Sequence, residues 1–282
     1  MARDDLVAGR LARTLETRFG EKIAVDPEQP GLADLAHLAE HRSHRHYDAR
    51  PVAPELLRLL FACALSAPSK SDLQQGDIVL VADAAKRKAI AKLIPDMPWV
   101  GAAPVFLIFC GNNRRQRQLA EWRGKPFVND HLDAFMNAAV DAGIVLANFI
   151  RAAGAVGLGC CPISAVRNHA TAISDLLELP EWVFPLAGLC VGYPANAGKL
   201  TPRLPLGVTV HTDRFTETDT RAQIDAYDQR RAKLVPYAKQ RDNARFGKAK
   251  LYGWSEDKAR QYAEPERADW GAFIKGKGFR LE

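Results

Sequence analysis

Apolar residues at Val7, Leu11, Leu15 and Phe19 recur every four positions and stop at Gly20, which predicts a short amphipathic helix ended by glycine. Pro27, Pro30 and Gly31 then break the chain, and a second helix is expected over Leu32 to Glu40. Leu56, Leu57, Leu60, Phe61, Ala64 and Leu65 give helical period from Pro54 to Leu65, with proline in the first turn where it is tolerated. A strand is expected from Asp77 to Val81, a helix from Ala84 to Leu93, and a buried strand rich in Val, Phe and Ile from Pro104 to Cys110. The longest helix expected, Asp130 to Ala153, would run ~36 Å. It is apolar nearly all round and dense in small residues (Ala134, Ala138, Ala139, Ala142, Gly143, Ala147, Ala152), so it must be surrounded. It reads as a central core helix, with a place at a symmetric dimer interface as the sharper expectation. A strand at Gly159 to Ile163, a helix from Ala165 to Leu177 and a strand from Phe184 to Gly192 follow. Beyond Pro205 the chain turns polar and helical in tone. This order argues α/β or α+β rather than all-α.

Composition narrows the picture only a little. At 282 residues and 47% hydrophobic content, the chain can build a substantial core. Its five cysteines (Cys63, Cys110, Cys160, Cys161, Cys190) lack CxxC spacing and imply a reducing compartment without a disulfide framework. Residues 1 to 20 mix arginine with acidic residues and show no secretory h-region, and no window holds ~18 uninterrupted apolar residues, so a cytoplasmic protein without a membrane partner is expected. The net charge of +6 has no accompanying stacking aromatics or nucleic-acid-binding signature. It is read as a solvated basic face, or one that attracts an anionic cofactor, and not as a nucleic-acid surface.

The densest chemistry lies in His41-Arg42-Ser43-His44-Arg45-His46-Tyr47 and, after one amphipathic stretch, in Ala67-Pro68-Ser69-Lys70-Ser71-Asp72-Leu73-Gln74. A single helix can bring these two points together. Arginine forks and clustered hydroxyls match phosphate oxygens through charge-assisted hydrogen bonds. The competing readings are a solvated basic run and a metal site on His41, His44 and His46; no Cys or carboxylate completes a ligand spacing, so no metal is expected. The stretch Gly154-Ala-Val-Gly157-Leu-Gly159 has the order GxxGxG without a preceding strand, so a Rossmann fingerprint is rejected.

These two motifs, together with Gly157-Leu-Gly-Cys-Cys-Pro-Ile-Ser-Ala-Val-Arg-Asn168, Pro185-Leu-Ala-Gly-Leu-Cys-Val-Gly-Tyr-Pro194 and Pro202-Arg203-Leu204-Pro205, resemble the FMN-dependent nitroreductase family, in particular its NADPH-dependent, oxygen-insensitive branch. The resemblance spans roughly residues 36 to 282. It implies an α+β nitroreductase-like fold, with a central mixed sheet surrounded by helices, a long buried core helix and a domain-entwined homodimer. Residues 1 to 35 would form an N-terminal helical extension, and residues 36 to 282 the FMN-binding domain, with a helical excursion from about 206.

By resemblance, His41, Arg42, Ser43, His44 and Arg45 hold the FMN phosphate and part of the ring, and Ser69, Ser71 and Gln74 line the opposite wall, often from the partner subunit. Pro162, Ile163 and Ser164 cover one flavin face. Arg203 stabilises the charge that reduction places on the ring, and Arg241 meets the 2′-phosphate of NADPH, with NADH as the alternative donor. The implied reaction is ping-pong: hydride passes through flavin N5 to a nitroaromatic, quinone or similar small-molecule acceptor. No catalytic side chain is required. A reductive dehalogenase or flavin-consuming enzyme on the same scaffold, and a non-catalytic flavin- or nucleotide-binding regulator, are the rival expectations. The chain departs from the family pattern at Thr201, where a lysine is usual with Lys199 the nearest substitute, at Met97, where close relatives place a glutamine, and at Lys70 and Asp72.

Overall fold

The computed structural model describes residues 2–282, which divide into two compact units. Residues 43–198 with 267–282 form the larger, and the stretch up to Arg42 with residues 199–266 forms the smaller.

The larger unit is built on four strands, β1 (Gly76–Leu80), β2 (Val105–Asn112), β3 (Gly159–Ile163) and β4 (Val183–Gly192), in the order β1-β2-β4-β3. All three pairings are antiparallel, which corrects the expected mixed sheet. Parallel pairing among the described residues is limited to a single bridge between Ser43 and Cys160. The central strands β2 and β4 are buried on both faces, and side-chain alternation sends Phe106, Ile108 and Cys110 to one core and Leu107 and Phe109 to the other. The first core includes Ile90, Ile163, Val166 and Ile173. The second holds Leu57, Leu60, Val145, Phe149 and Ala153, from the helices Pro54–Leu65 and Leu132–Ala155.

Helix Leu132–Ala155 begins two residues later than its apolar pattern indicated, because His131 caps it by accepting from the Asp133 N–H. By length and composition it could cross a membrane, but one face packs on the sheet through Ala138, Ala142, Val145, Phe149 and Ala153. Within one chain its burial is one-sided: Leu132, Met136 and Val140, four residues apart, are 49%, 54% and 42% exposed. The helix expected from Ala165 to Leu177 is a 3₁₀ turn, Ser164–His169, followed by a short helix, Ala170–Leu176. Arg167 in that turn donates to the Leu186 carbonyl at 2.6 Å and so follows β4 rather than helical geometry. Burial pushes the Cys110 thiol up to about 12 and those of Cys160 and Cys190 higher still, so these cysteines pack as small hydrophobes.

In the smaller unit, helix Ala2–Phe19 packs on helix Leu32–Ala39 through Ala8, Leu11, Leu32 and Ala36. Its end is fixed at Gly20, where φ is +78° and a Cβ would lie 2.7 Å from the Arg230 side chain. Arg230 lies on helix Thr220–Leu234 and donates to the carbonyls of Thr17, Arg18 and Arg203, which ties three segments together. Apolar burial is sparse here and polar burial replaces it. Asp228, 5% exposed, accepts from the N–H groups of Trp254 and Ser255 and so caps helix Trp254–Tyr262.

Candidate functional site

The segment His41–Tyr47 is not a free surface run. The N–H of His44 donates to the Cys160 carbonyl at 2.9 Å, and Ser43 bridges the same residue, so the motif is laid along the edge of β3. Gly159 permits this approach, since a Cβ there would meet the His44 side chain at 2.8 Å. On the other side, the Tyr47 hydroxyl donates to the His44 carbonyl at 2.6 Å, and Ala195 N–H donates to the His46 carbonyl. Arg45 lies over the Trp99 ring at 5.4 Å. Strand β3 is buried except at Pro162, and Ser164 just beyond it is exposed while Ile163 is buried. Ser43, His44, Pro162, Ile163 and Ser164 therefore belong to one edge of the sheet. Met97 packs against the neighbouring core.

Ser69, Ser71 and Gln74 lie in a loop held by a carboxylate from the core helix. Asp141, 1% exposed, accepts from the N–H groups of Lys70 at 3.0 Å and Gln75 at 3.1 Å. Three loop residues, Ser71, Asp72 and Gln74, take positive φ, and the Ser69 hydroxyl accepts from Gln74 N–H at 2.7 Å. From helix Arg114–Trp122, Arg115 donates to the Gln74 carbonyl and Gln116 to that of Leu73. The result is a cavity of about 600 Å³ lined by Ser69, Asp72, Gln74, Asp77, Arg115 and Asp141 among others. Ser71 is exposed beside it. Residues 41–45 are not among the residues that line it.

In the smaller unit, one group of arginines gathers with no carboxylate partner among the described residues. Arg18, 5% exposed, donates to the carbonyls of Ala39, His41 and Thr201 and to the Thr201 hydroxyl. Burial, then the charges of Arg203 and Arg42, bring its guanidinium down to about 10. Arg203 is exposed; it donates to the Thr201 hydroxyl at 2.8 Å, and its N–H donates to the Arg18 carbonyl at 2.6 Å. Among the described residues no carboxylate forms an ion pair with Arg18, Arg42 or Arg203. A cluster of guanidinium groups this close is costly unless an anion compensates it. Its donor set suits a phosphate or an anionic ring, which is the chemistry FMN presents. Arg203 also lines a second cavity, about 710 Å³, with Tyr227, Arg231, Tyr237, Trp254 and Lys258. Arg241 stands apart from it: its Nε pairs with buried Asp257 at 3.1 Å, while its side chain is half exposed.

Three contributors escaped sequence reasoning. Asp141 carried a signal, a lone carboxylate in a run of apolar and small residues. Arg115 carried little signal, being one cation in the polar run Arg114-Arg115-Gln116-Arg117. Arg18 is one arginine of several on a mixed helix and carried none.

The chain matches the Nitroreductase family over residues 38–193 and the Nitroreductase family C-terminal domain over residues 201–282. It is 35% identical over 251 residues to the FMN reductase [NAD(P)H] of Bacillus subtilis, covering 88% of this chain and 98% of the relative. Among solved structures, NfrA2 of B. megaterium superposes with a TM-score of 0.80 at 32% identity, over 88% of this chain and 98% of that one. The NADPH:FMN oxidoreductase of Vibrio harveyi, complexed with NAD+, gives 0.75 at 29% identity, over 87% and 97%.

Proposed function

The chain belongs to the nitroreductase family, and from that premise we propose that it works as an FMN-dependent NAD(P)H oxidoreductase that reduces nitroaromatics, quinones or similar electron-poor acceptors in a ping-pong cycle. The observation that carries the reading is the carboxylate-free cluster of Arg18, Arg42 and Arg203, because it is built for a bound anion. Arg42 and Arg45, with Ser43 and the ring of His41, would bind the phosphate. His44 fixes the motif to β3, and Pro162, Ile163 and Ser164 would cover one ring face. Bound FMN would supply the two-electron chemistry, taking hydride from NAD(P)H and passing it to the acceptor. The protein's part is to bind, orient and bias charge, with Arg203 favouring the reduced anion by fixed electrostatics.

Two further parts of the reading concern assembly and donor choice. The cavity at Ser69, Ser71 and Gln74 would face the cofactor of a second subunit, which is supported by the exposed apolar stripe on the core helix. Arg241 would meet the 2′-phosphate of NADPH; its pairing with Asp257 holds Nε while the fork stays accessible. A cytoplasmic homodimer is the setting this implies.

Comparing FMN with riboflavin tests the cofactor assignment. Fluorescence quenching should show FMN bound at least tenfold tighter, since riboflavin lacks the phosphate that the arginines would neutralise. Equal affinities, or no binding of either, would contradict it.

A further inference from the structure

The N-terminal helix lies before both family matches, which begin at residue 38 and residue 201. Yet it places a guanidinium among the cations of the proposed cofactor site. Arg18 is almost fully buried, and its donors go to three backbone carbonyls and one hydroxyl, with no carboxylate among them. Two of those partners flank the site's own segments: His41 opens the phosphate motif, and Thr201 stands two residues before Arg203. Arg203 returns the contact through its N–H on the Arg18 carbonyl, and Arg230 clamps the same carbonyl with that of Arg203.

A buried cation held only by neutral groups costs folding free energy, and the neighbouring charges of Arg42 and Arg203 add to that cost. Hydride transfer from NAD(P)H adds two electrons and one proton to FMN, releases NAD(P)+ and leaves one additional negative charge on the cofactor. A fixed cation beside Arg203 would offset that charge, and neutral Thr201, whose hydroxyl accepts from both arginines, supplies none.

We propose that Arg18 is a positioning residue of the cofactor site: the N-terminal helix inserts it to join the His41 and Thr201 segments and to add a positive charge that favours reduced over oxidised FMN. This rests on the FMN assignment made above. It makes the N-terminal helix part of the redox site and predicts that the helix tunes the cofactor's potential.

The test is the two-electron midpoint potential of FMN in the holoprotein, measured by dye equilibration for wild type, Arg18→Gln, Arg18→Lys and the double variant Arg18→Gln/Thr201→Lys. Arg18→Gln is expected to weaken reduced FMN about tenfold relative to oxidised FMN, which lowers the potential by about 30 mV for a two-electron couple. Arg18→Lys keeps the charge but cannot span three carbonyls, and the double variant returns a cation from another segment; both are expected within threefold of wild type. A wild-type potential in Arg18→Gln, or a loss in Arg18→Lys as large as in Arg18→Gln, would overturn the proposal. If Arg18→Gln does not fold, Arg18→Met, equally uncharged, takes its place beside Arg18→Lys, with the same outcomes for and against. FMN-loaded wild type with a silent Arg18 overturns only this inference, whereas wild type that takes up no FMN overturns the cofactor assignment with it.

Discussion

Arg42 and Arg241 would take different tasks under the proposed function, and single substitutions should separate them. Among the described residues Arg42 has no carboxylate partner, and it adjoins Ser43, whose bridge to Cys160 fixes the backbone. Arg42→Ala should weaken FMN by about 10- to 100-fold, the worth of one or two charge-assisted hydrogen bonds, and leave riboflavin nearly unchanged in the same titration. A similar loss for both ligands would place Arg42 away from the phosphate. Arg241→Ala should raise KM for NADPH much more than KM for NADH in steady-state assays; equal increases would remove Arg241 from the nucleotide site and leave it a partner of Asp257. At this scale the candidate residues of the motif can be picked from the sequence because phosphate binding calls for forked donors and hydroxyls close together. Arg18 was not, since its importance comes from carbonyls of residues 39, 41 and 201, which only folding assembles.

Elements are positioned by a few buried polar anchors as well as by their apolar faces. Asp141 satisfies two loop N–H groups from inside the core helix, so Asp141→Ala should cost about 2–4 kcal/mol in denaturant unfolding and open the 70–75 loop to proteolysis. An unchanged midpoint would show the loop to be self-supporting. Asp130 joins Arg117 and Arg280 ahead of the core helix. The hydrogen bond from Arg117 holds its carboxyl below the usual carboxylate range. Its contribution is therefore present above the ordinary aspartate value of about 3.9 and lost as pH falls through the lower folded value. Asp130→Asn should be less stable than wild type near pH 7, with the two converging in strong acid; a constant gap at all pH values would contradict this.

Helices Pro54–Leu65 and Ala84–Leu93 and strand β3 matched their sequence patterns to the residue, because apolar period and turn residues agreed there. Helix Arg114–Trp122 did not show itself: its period is carried by arginine and glutamine, whose partners are loop carbonyls and Asp77. Strand β2 runs two residues past its apolar pattern because Gly111 accepts the Phe184 ring against its backbone. Strand direction was illegible for another reason: alternation reports which face is buried, not which neighbour pairs, and the sheet came out antiparallel.

At the scale of the whole molecule, the core helix joins assembly to chemistry. Its composition demanded burial all round, and a single chain provides it on one face, which leaves Leu132, Met136 and Val140 outward. Met136→Glu should shift light-scattering mass from dimer to monomer and weaken FMN at least tenfold, since the wall at Ser69 and Gln74 would be withdrawn; a monomeric wild type, or a dimeric variant with full FMN, would refute that assembly. Whether this oxidoreductase carries electrons on FMN is decided by an anaerobic NADPH titration of the purified, FMN-loaded protein followed in the visible spectrum. The flavin bands should bleach at one equivalent of NADPH and return when a quinone or nitrofuran is added. Bands that persist under NADPH, or bleached protein that no acceptor reoxidises, would contradict it.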